Sequence, residues 1–179
     1  MDQDSVSSAS SDYNPEYYYK LELEIITDHN IDESRLNTYE SYILNYYRSG
    51  KKITKYDKVS IINNKNCSVY FAKYVISTIF KISGKKFYEH LTYSQNLTIE
   101  DIKKIPTNIV NFYYNIREIS TNADLYYHDI IDNPEYNFVP ESLLVNKNIW
   151  NNFSYDDCIN LFNYFNISYD FLLLFSINK

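Results

Sequence analysis

The sequence predicts an α+β fold: a small sheet with a β-hairpin leads into a cluster of helices, preceded by a strand–helix extension. Three observations support this class. Apolar and charged residues alternate over 20–25, two short apolar runs flank an Asn-rich cluster at 63–66, and the hydrophobic period changes from two to 3.6 beyond residue 71. We divide the chain into a disordered N-terminus (1–16), the extension (17–56) and a main domain (57–176).

The extension begins with a predicted half-buried strand over residues 20–25, where every second side chain is apolar. A helix should follow, capped by Asp32 or Ser34, because apolar residues then recur at helical spacing as far as Tyr46. Gly50 should end this helix in the left-handed conformation that glycine adopts without strain.

The predicted hairpin occupies the middle of the chain. Residues 59–62 form its first strand, 63–66 its turn and 67–71 its second strand. From Ala72 to Phe80 the apolar residues lie on one stripe of a helix, so the second strand should run directly into that helix.

Beyond Gly84 the sequence predicts a short helix over 85–91, a strand over 97–100 and a helix opened by Pro106. The buried face of this last helix should consist of Ile109, Val110, Tyr113 and Ile116.

The last part of the main domain is predicted to be helical. Residues 120–150 are less regular, with helical pieces at 123–131 and 141–150. Ser154 and Asp157 have the spacing of a capping box, which predicts a helix that ends near Asn166. A second short helical segment should finish the domain at 168–175, giving a helix pair over 154–175.

Tyrosine accounts for 21 of 179 residues, whereas alanine, glycine, proline and arginine are scarce. Tyr, Asn, Ile and Lys have A/T-rich codons, so this composition indicates a gene from an AT-rich genome, such as that of a large DNA virus or a protist. The aromatic runs and Asn clusters are therefore attributed to base composition before any chemical role.

The formal net charge of −6 argues against a nucleic-acid partner, because phosphate binding needs clustered cations. The densest basic cluster, over residues 48–58, is interpreted as a solvated loop. The polar first twelve residues do not resemble a secretory signal, and the apolar run at 171–175 is far shorter than a membrane span. We therefore expect an intracellular protein, in the host cytoplasm if the source is viral, without a membrane partner.

No motif for metal, cofactor or catalytic chemistry is evident. Cys67 and Cys158 are too few for a zinc site or a disulfide framework and should pack as small core residues. Two isolated glycines exclude a phosphate-binding loop. The expectation is a protein that is not an enzyme; the competing hypothesis, a small enzyme, requires a deep pocket that brings His90 or His128 close to carboxylates.

The order strand–strand–helix–helix–strand–helix over 57–118, followed by the helix pair at 154–175, resembles the BTB/POZ family, which includes the Skp-like cullin adaptors. The resemblance is carried by Asp57 ahead of Val59, by the stretch 69–77, by 97–102 followed by Pro106, and by 158–167. It implies that Lys73 pairs with Asp57.

The resemblance also implies a protein–protein interaction module that self-associates or recruits targets to a cullin ubiquitin ligase. Tyr164 and Tyr169 are the candidate partner-binding residues, since tyrosine buries apolar area and keeps a hydroxyl for hydrogen bonding. The alternative function is a viral helical protein that sequesters host signalling or cell-death factors, and it requires helix throughout the domain.

Overall fold

The computed structural model describes residues 31–167, and every regular element in this range is helical. The predicted α+β class is therefore wrong for the described part of the chain, which contains no strand. The strand predicted at 20–25, the N-terminal segment 1–16 and the segment 168–175 lie outside the described residues.

A 3₁₀ turn at Glu33–Arg35 precedes the first α-helix. The first four helices are α1 (Thr38–Arg48), α2 (Lys55–Ile62), α3 (Val69–Tyr74), which continues as a π-helical turn at Val75–Ile79, and α4 (Lys85–Leu91). The later helices are α5 (Ile99–Ile102), α6 (Thr107–Val110), α7 (Tyr113–Asn122), α8 (Tyr127–Ile131), α9 (Pro140–Val145), α10 (Lys147–Asn152) and α11 (Tyr155–Tyr164).

The predicted hairpin is replaced by α2 and α3, because polar residues cap both helices. The Thr54 hydroxyl accepts a hydrogen bond from Asp57 N (3.3 Å), and the Asp57 carboxylate accepts one from Thr54 N (2.8 Å). The Ser68 hydroxyl likewise accepts one from Phe71 N (3.1 Å). Each short apolar run therefore buries one face of a helix; Ile62 and Phe71 are fully buried.

The predicted strand at 97–100 is also wrong, because Thr98 caps α5. Pro106 precedes a helix as expected, but that helix ends at Val110, and α7 begins afresh at Tyr113. The interruption changes the helical phase. Tyr113 is consequently exposed, whereas the other three apolar residues expected on the buried face, Ile109, Val110 and Ile116, are buried.

Several helix boundaries are confirmed. α4 has the predicted bounds, and the capping box between Ser154 and Asp157 is present at the start of α11. Gly50 (φ 78°) and Asn166 (φ 52°) adopt left-handed conformations beyond α1 and α11. The cap of α1 differs from the prediction, because Asn37 caps it and Asp32 caps the preceding 3₁₀ turn.

The helices share one hydrophobic core. It includes Ile43 and Leu44 of α1, so this helix packs with the later helices. α7 packs against α9, and α8 packs against α11. Lys73 of α3 forms a half-buried ion pair with Asp101 at the end of α5 (3.3 Å), instead of the pair with Asp57 that the resemblance implied. None of the helices between residues 31 and 167 combines the length and the apolar character needed to cross a membrane.

Candidate functional site

A groove of about 710 Å³ lies between α2, α4 and the start of α7. Its volume is in the range of ordinary ligand-binding clefts. Exposed aromatic and basic side chains form its walls, and partly buried polar side chains form its floor. The residues that line the groove include Lys55, Tyr56, Lys58, Val59, Glu89, His90, Phe112 and Tyr114.

α2 supplies one wall because its apolar residues are divided between two faces. Ile61 and Ile62 point into the core, which leaves Tyr56 and Val59, three residues apart, on the outer face. Tyr56 is 87% exposed, the largest exposed fraction among the large hydrophobic residues of the described chain. Lys58 extends beside this wall, with its Nζ 5.0 Å from the centroid of the Phe80 ring.

The opposite wall begins where the chain passes from α6 to α7. Phe112 is the residue before α7 and is 47% exposed, and Tyr114 in its first turn is 65% exposed. Their ring centroids are 5.8 Å apart, so the two rings form a small aromatic surface. Lys85 Nζ lies 5.3 Å from the Phe112 centroid and brings a further positive charge to this wall.

The floor comes from α4 and the residues just after it. Lys85 forms an ion pair with Glu89 (3.7 Å), and His90 Nδ1 lies 2.8 Å from the Lys86 carbonyl oxygen. Burial raises the pKa of the Tyr93 hydroxyl, and nearby carboxylates raise it further, so this hydroxyl remains protonated and able to donate. His90 and Glu89 both line the groove, but no hydrogen bond joins their side chains within the described part.

The groove carries a local excess of positive charge. Lys55 and Lys58 form no ion pair with any residue between 31 and 167. Fifteen acidic and fifteen basic residues balance in this range, whereas residues 1–30 contain seven acidic residues and one lysine. The net charge of −6 therefore comes from the first thirty residues, whereas residues 31–167 have no net charge and include a basic groove.

The structure separates the residues that the sequence singled out. Tyr164 is 49% exposed on α11 and does not line the groove, while Tyr169 lies outside the described residues. His128, on α8, is 3.8 Å from Asp132 and likewise outside the groove. Cys67 is fully buried as predicted, whereas Cys158 is only partly buried and is not among the core residues. Burial, together with Glu40, raises the pKa of the Cys67 thiol to about 12. Between residues 31 and 167 no three metal-ligating side chains come together.

The groove was not predicted from the sequence, although two of its residues belong to the basic cluster over residues 48–58. Lys55 and Lys58 belong to the basic cluster that was interpreted as a loop; that interpretation is wrong for these two residues, which lie on α2. A capping signal at Thr54 and Asp57 could have placed them on a helix. Phe112 and Tyr114 could not have been found, because only tertiary packing brings them opposite α2.

No protein-family model, curated protein or solved structure matches this chain.

Proposed function

We propose that the chain is a helical protein-interaction module and that its groove binds a segment of a partner protein. The observation that supports this function best is the set of exposed aromatic side chains, Tyr56, Phe112 and Tyr114, on facing walls of one groove. Aromatic residues are enriched in the central parts of protein interfaces, where they bury large apolar areas at a small cost in side-chain entropy.

This proposal follows the alternative function predicted from the sequence, the helical interaction protein. The all-helical character of residues 31–167 supports it, since that class requires helix throughout the domain. The amino-acid composition indicates an AT-rich gene, such as that of a large DNA virus. On this basis we propose that the protein acts inside a host cell and binds host proteins.

Site-specific photo-crosslinking tests the groove directly. A photoreactive phenylalanine analogue replaces Tyr56 in the full chain, and a matched variant carries it at Tyr126, which is 56% exposed but outside the groove. We expect a discrete protein adduct from position 56 in host-cell extract and none of the same mass from position 126. Phe112→Ser should abolish the adduct at 56. Equal labelling from both positions would contradict the proposal.

Recruitment of a cullin remains a separate prediction of the BTB/POZ resemblance. A variant with Tyr164→Ala on α11 tests it, because this residue was expected to face the partner and is exposed. Affinity capture of the wild-type chain should recover a cullin, and Tyr164→Ala should reduce its recovery. Capture of a cullin that is unaffected by Tyr164→Ala but lost with Phe112→Ser would assign cullin binding to the groove.

A further inference from the structure

We infer that the occupant of the groove is a short acidic segment of another protein that carries one apolar anchor residue. The inference rests on the proposed function and goes further by stating the chemistry of the partner. It depends on three features of the described residues: the charge of the walls, the length of the groove, and the apolar surface formed by Val59 and Phe112 beside the lysines.

The charge of the groove selects an anionic partner. Lys55 and Lys58 line it without an ion-pair partner among residues 31–167, and Lys85 stands at the opposite wall beside Phe112. Glu89 is the acidic residue in the lining, and Lys85 already pairs with it. The Lys85–Glu89 pair carries no net charge, so the excess positive charge of the groove lies along α2 at Lys55 and Lys58. A segment with two carboxylates would meet that charge, which accelerates association and favours the correct register.

The dimensions of the groove limit the occupant to a few residues. The α2 wall of the groove runs from Lys55 to Ser60, which spans about 9 Å at 1.5 Å per residue. An extended chain advances about 3.3 Å per residue, so about three residues of a partner would pass along this wall. Recognition would therefore depend on a short linear stretch, and a large folded surface is not required.

The apolar surface lies where an anchor side chain would insert. Val59 is one turn beyond Lys55 and Tyr56 on the same side of α2, and Phe112 lies on the facing wall. A leucine-sized or aromatic side chain placed between Val59 and Phe112 would be covered on both sides. Carboxylates on the neighbouring positions of the segment would then reach Lys55 and Lys58.

A single-stranded nucleic acid is the competing anionic ligand, because exposed aromatic residues also stack on bases. The described residues favour the peptide. No arginine is among the residues that line the groove. Nucleic-acid binding depends on many phosphate contacts, and this groove offers few cations.

Selection from a random peptide library, followed by measured binding, tests the inference. Phage displaying random twelve-residue peptides are selected on the full chain and counter-selected on Lys55→Glu/Lys58→Glu. We expect the recovered peptides to combine Asp or Glu residues with one apolar residue. For the best synthetic peptide, fluorescence anisotropy should show about tenfold weaker binding to the double variant and clear weakening between 50 and 300 mM salt.

The matched control is Lys65→Glu/Lys104→Glu, which makes the same charge change at two exposed lysines outside the groove. It should bind the peptide as the wild type does. Peptides that depend on Phe112 but contain no acidic residues would overturn this inference and leave the proposed function standing. Absence of any groove-dependent peptide, or tighter binding of the oligonucleotide dT12 than of the best peptide, would also overturn it.

Discussion

At the scale of single residues, Glu40 is the most consequential buried polar group. Its side chain lies in α1 and the residue is only 1% exposed. One carboxylate oxygen accepts a hydrogen bond from Asn37 N (3.2 Å), and the other accepts one from Ser68 N (2.6 Å) at the start of α3. One side chain thus satisfies backbone donors of two helices, and it fixes α1 against α3.

Replacement of Glu40 should destabilise the fold strongly. Glu40→Ala leaves the backbone N–H groups of two partly buried hydrogen bonds without this acceptor, so we expect a loss of about 1–3 kcal/mol in the free energy of unfolding. Glu40→Gln keeps one acceptor oxygen and should lose less. Urea denaturation at pH 7, followed by circular dichroism, measures both. Glu135→Gln, at an exposed position, is the control and should change stability by less than about 0.5 kcal/mol. Equal stability of Glu40→Ala and this control would contradict the role given to Glu40.

At the scale of helices, capping residues indicate where a helix begins even in segments whose hydrophobic periodicity is ambiguous. The capping box at Ser154 and Asp157 located α11 from the sequence. The same type of signal at Thr54 and Asp57 was outweighed by two short apolar runs, which are compatible with either a strand or a buried helix. α2 buries only its last two residues, Ile61 and Ile62, so its sequence has little helical periodicity to recognise.

The two capping boxes predict a dependence of stability on pH. Hydrogen bonds from Thr54 hold the pKa of Asp57 below its ordinary value of 3.8, and those from Ser154 do the same for Asp157. Because the folded-state pKa is the lower one, each carboxylate stabilises the fold at pH above about 4, and this contribution is lost as the pH falls through the folded-state pKa.

Asn in place of both aspartates tests this dependence, since it keeps an acceptor oxygen but removes the charge. Asp57→Asn/Asp157→Asn should be less stable than the wild type at pH 6.5, and the difference should shrink at pH 3, where the native carboxylates become protonated. Thermal unfolding of both proteins at the two pH values gives the answer. Glu135→Gln, at an exposed position outside these capping boxes, is the control, and its stability relative to the wild type should be the same at both pH values. A difference that stays constant between pH 6.5 and pH 3 would refute the prediction.

At the scale of the whole molecule, asparagine side chains hold together segments that are distant in sequence. Asn148 Nδ2 donates to the carbonyl oxygens of Gln95 (2.9 Å) and Asn122 (3.0 Å), and Gln95 Nε2 donates to the Asn63 carbonyl oxygen (2.9 Å). Asn146 similarly donates to two backbone carbonyl groups near the end of α7. From the sequence, the Asn clusters were explained by base composition. The fold nevertheless uses them, because each amide can donate two hydrogen bonds to loop carbonyl groups.

Asn148→Ala should therefore weaken the molecule in several segments at once. It leaves the partly buried carbonyl groups of Gln95 and Asn122 without this donor, and we expect a loss of about 2–4 kcal/mol, or a Tm lowered by roughly 5–10 °C. Asn160→Ala, at an exposed position of α11, is the matched control and should leave Tm nearly unchanged. Hydrogen exchange with mass spectrometry should show reduced protection together in residues 92–98, 120–125 and 146–150. Reduced protection confined to residues near 148 would mean that the three segments are stabilised independently, because a shared clamp must release all of them.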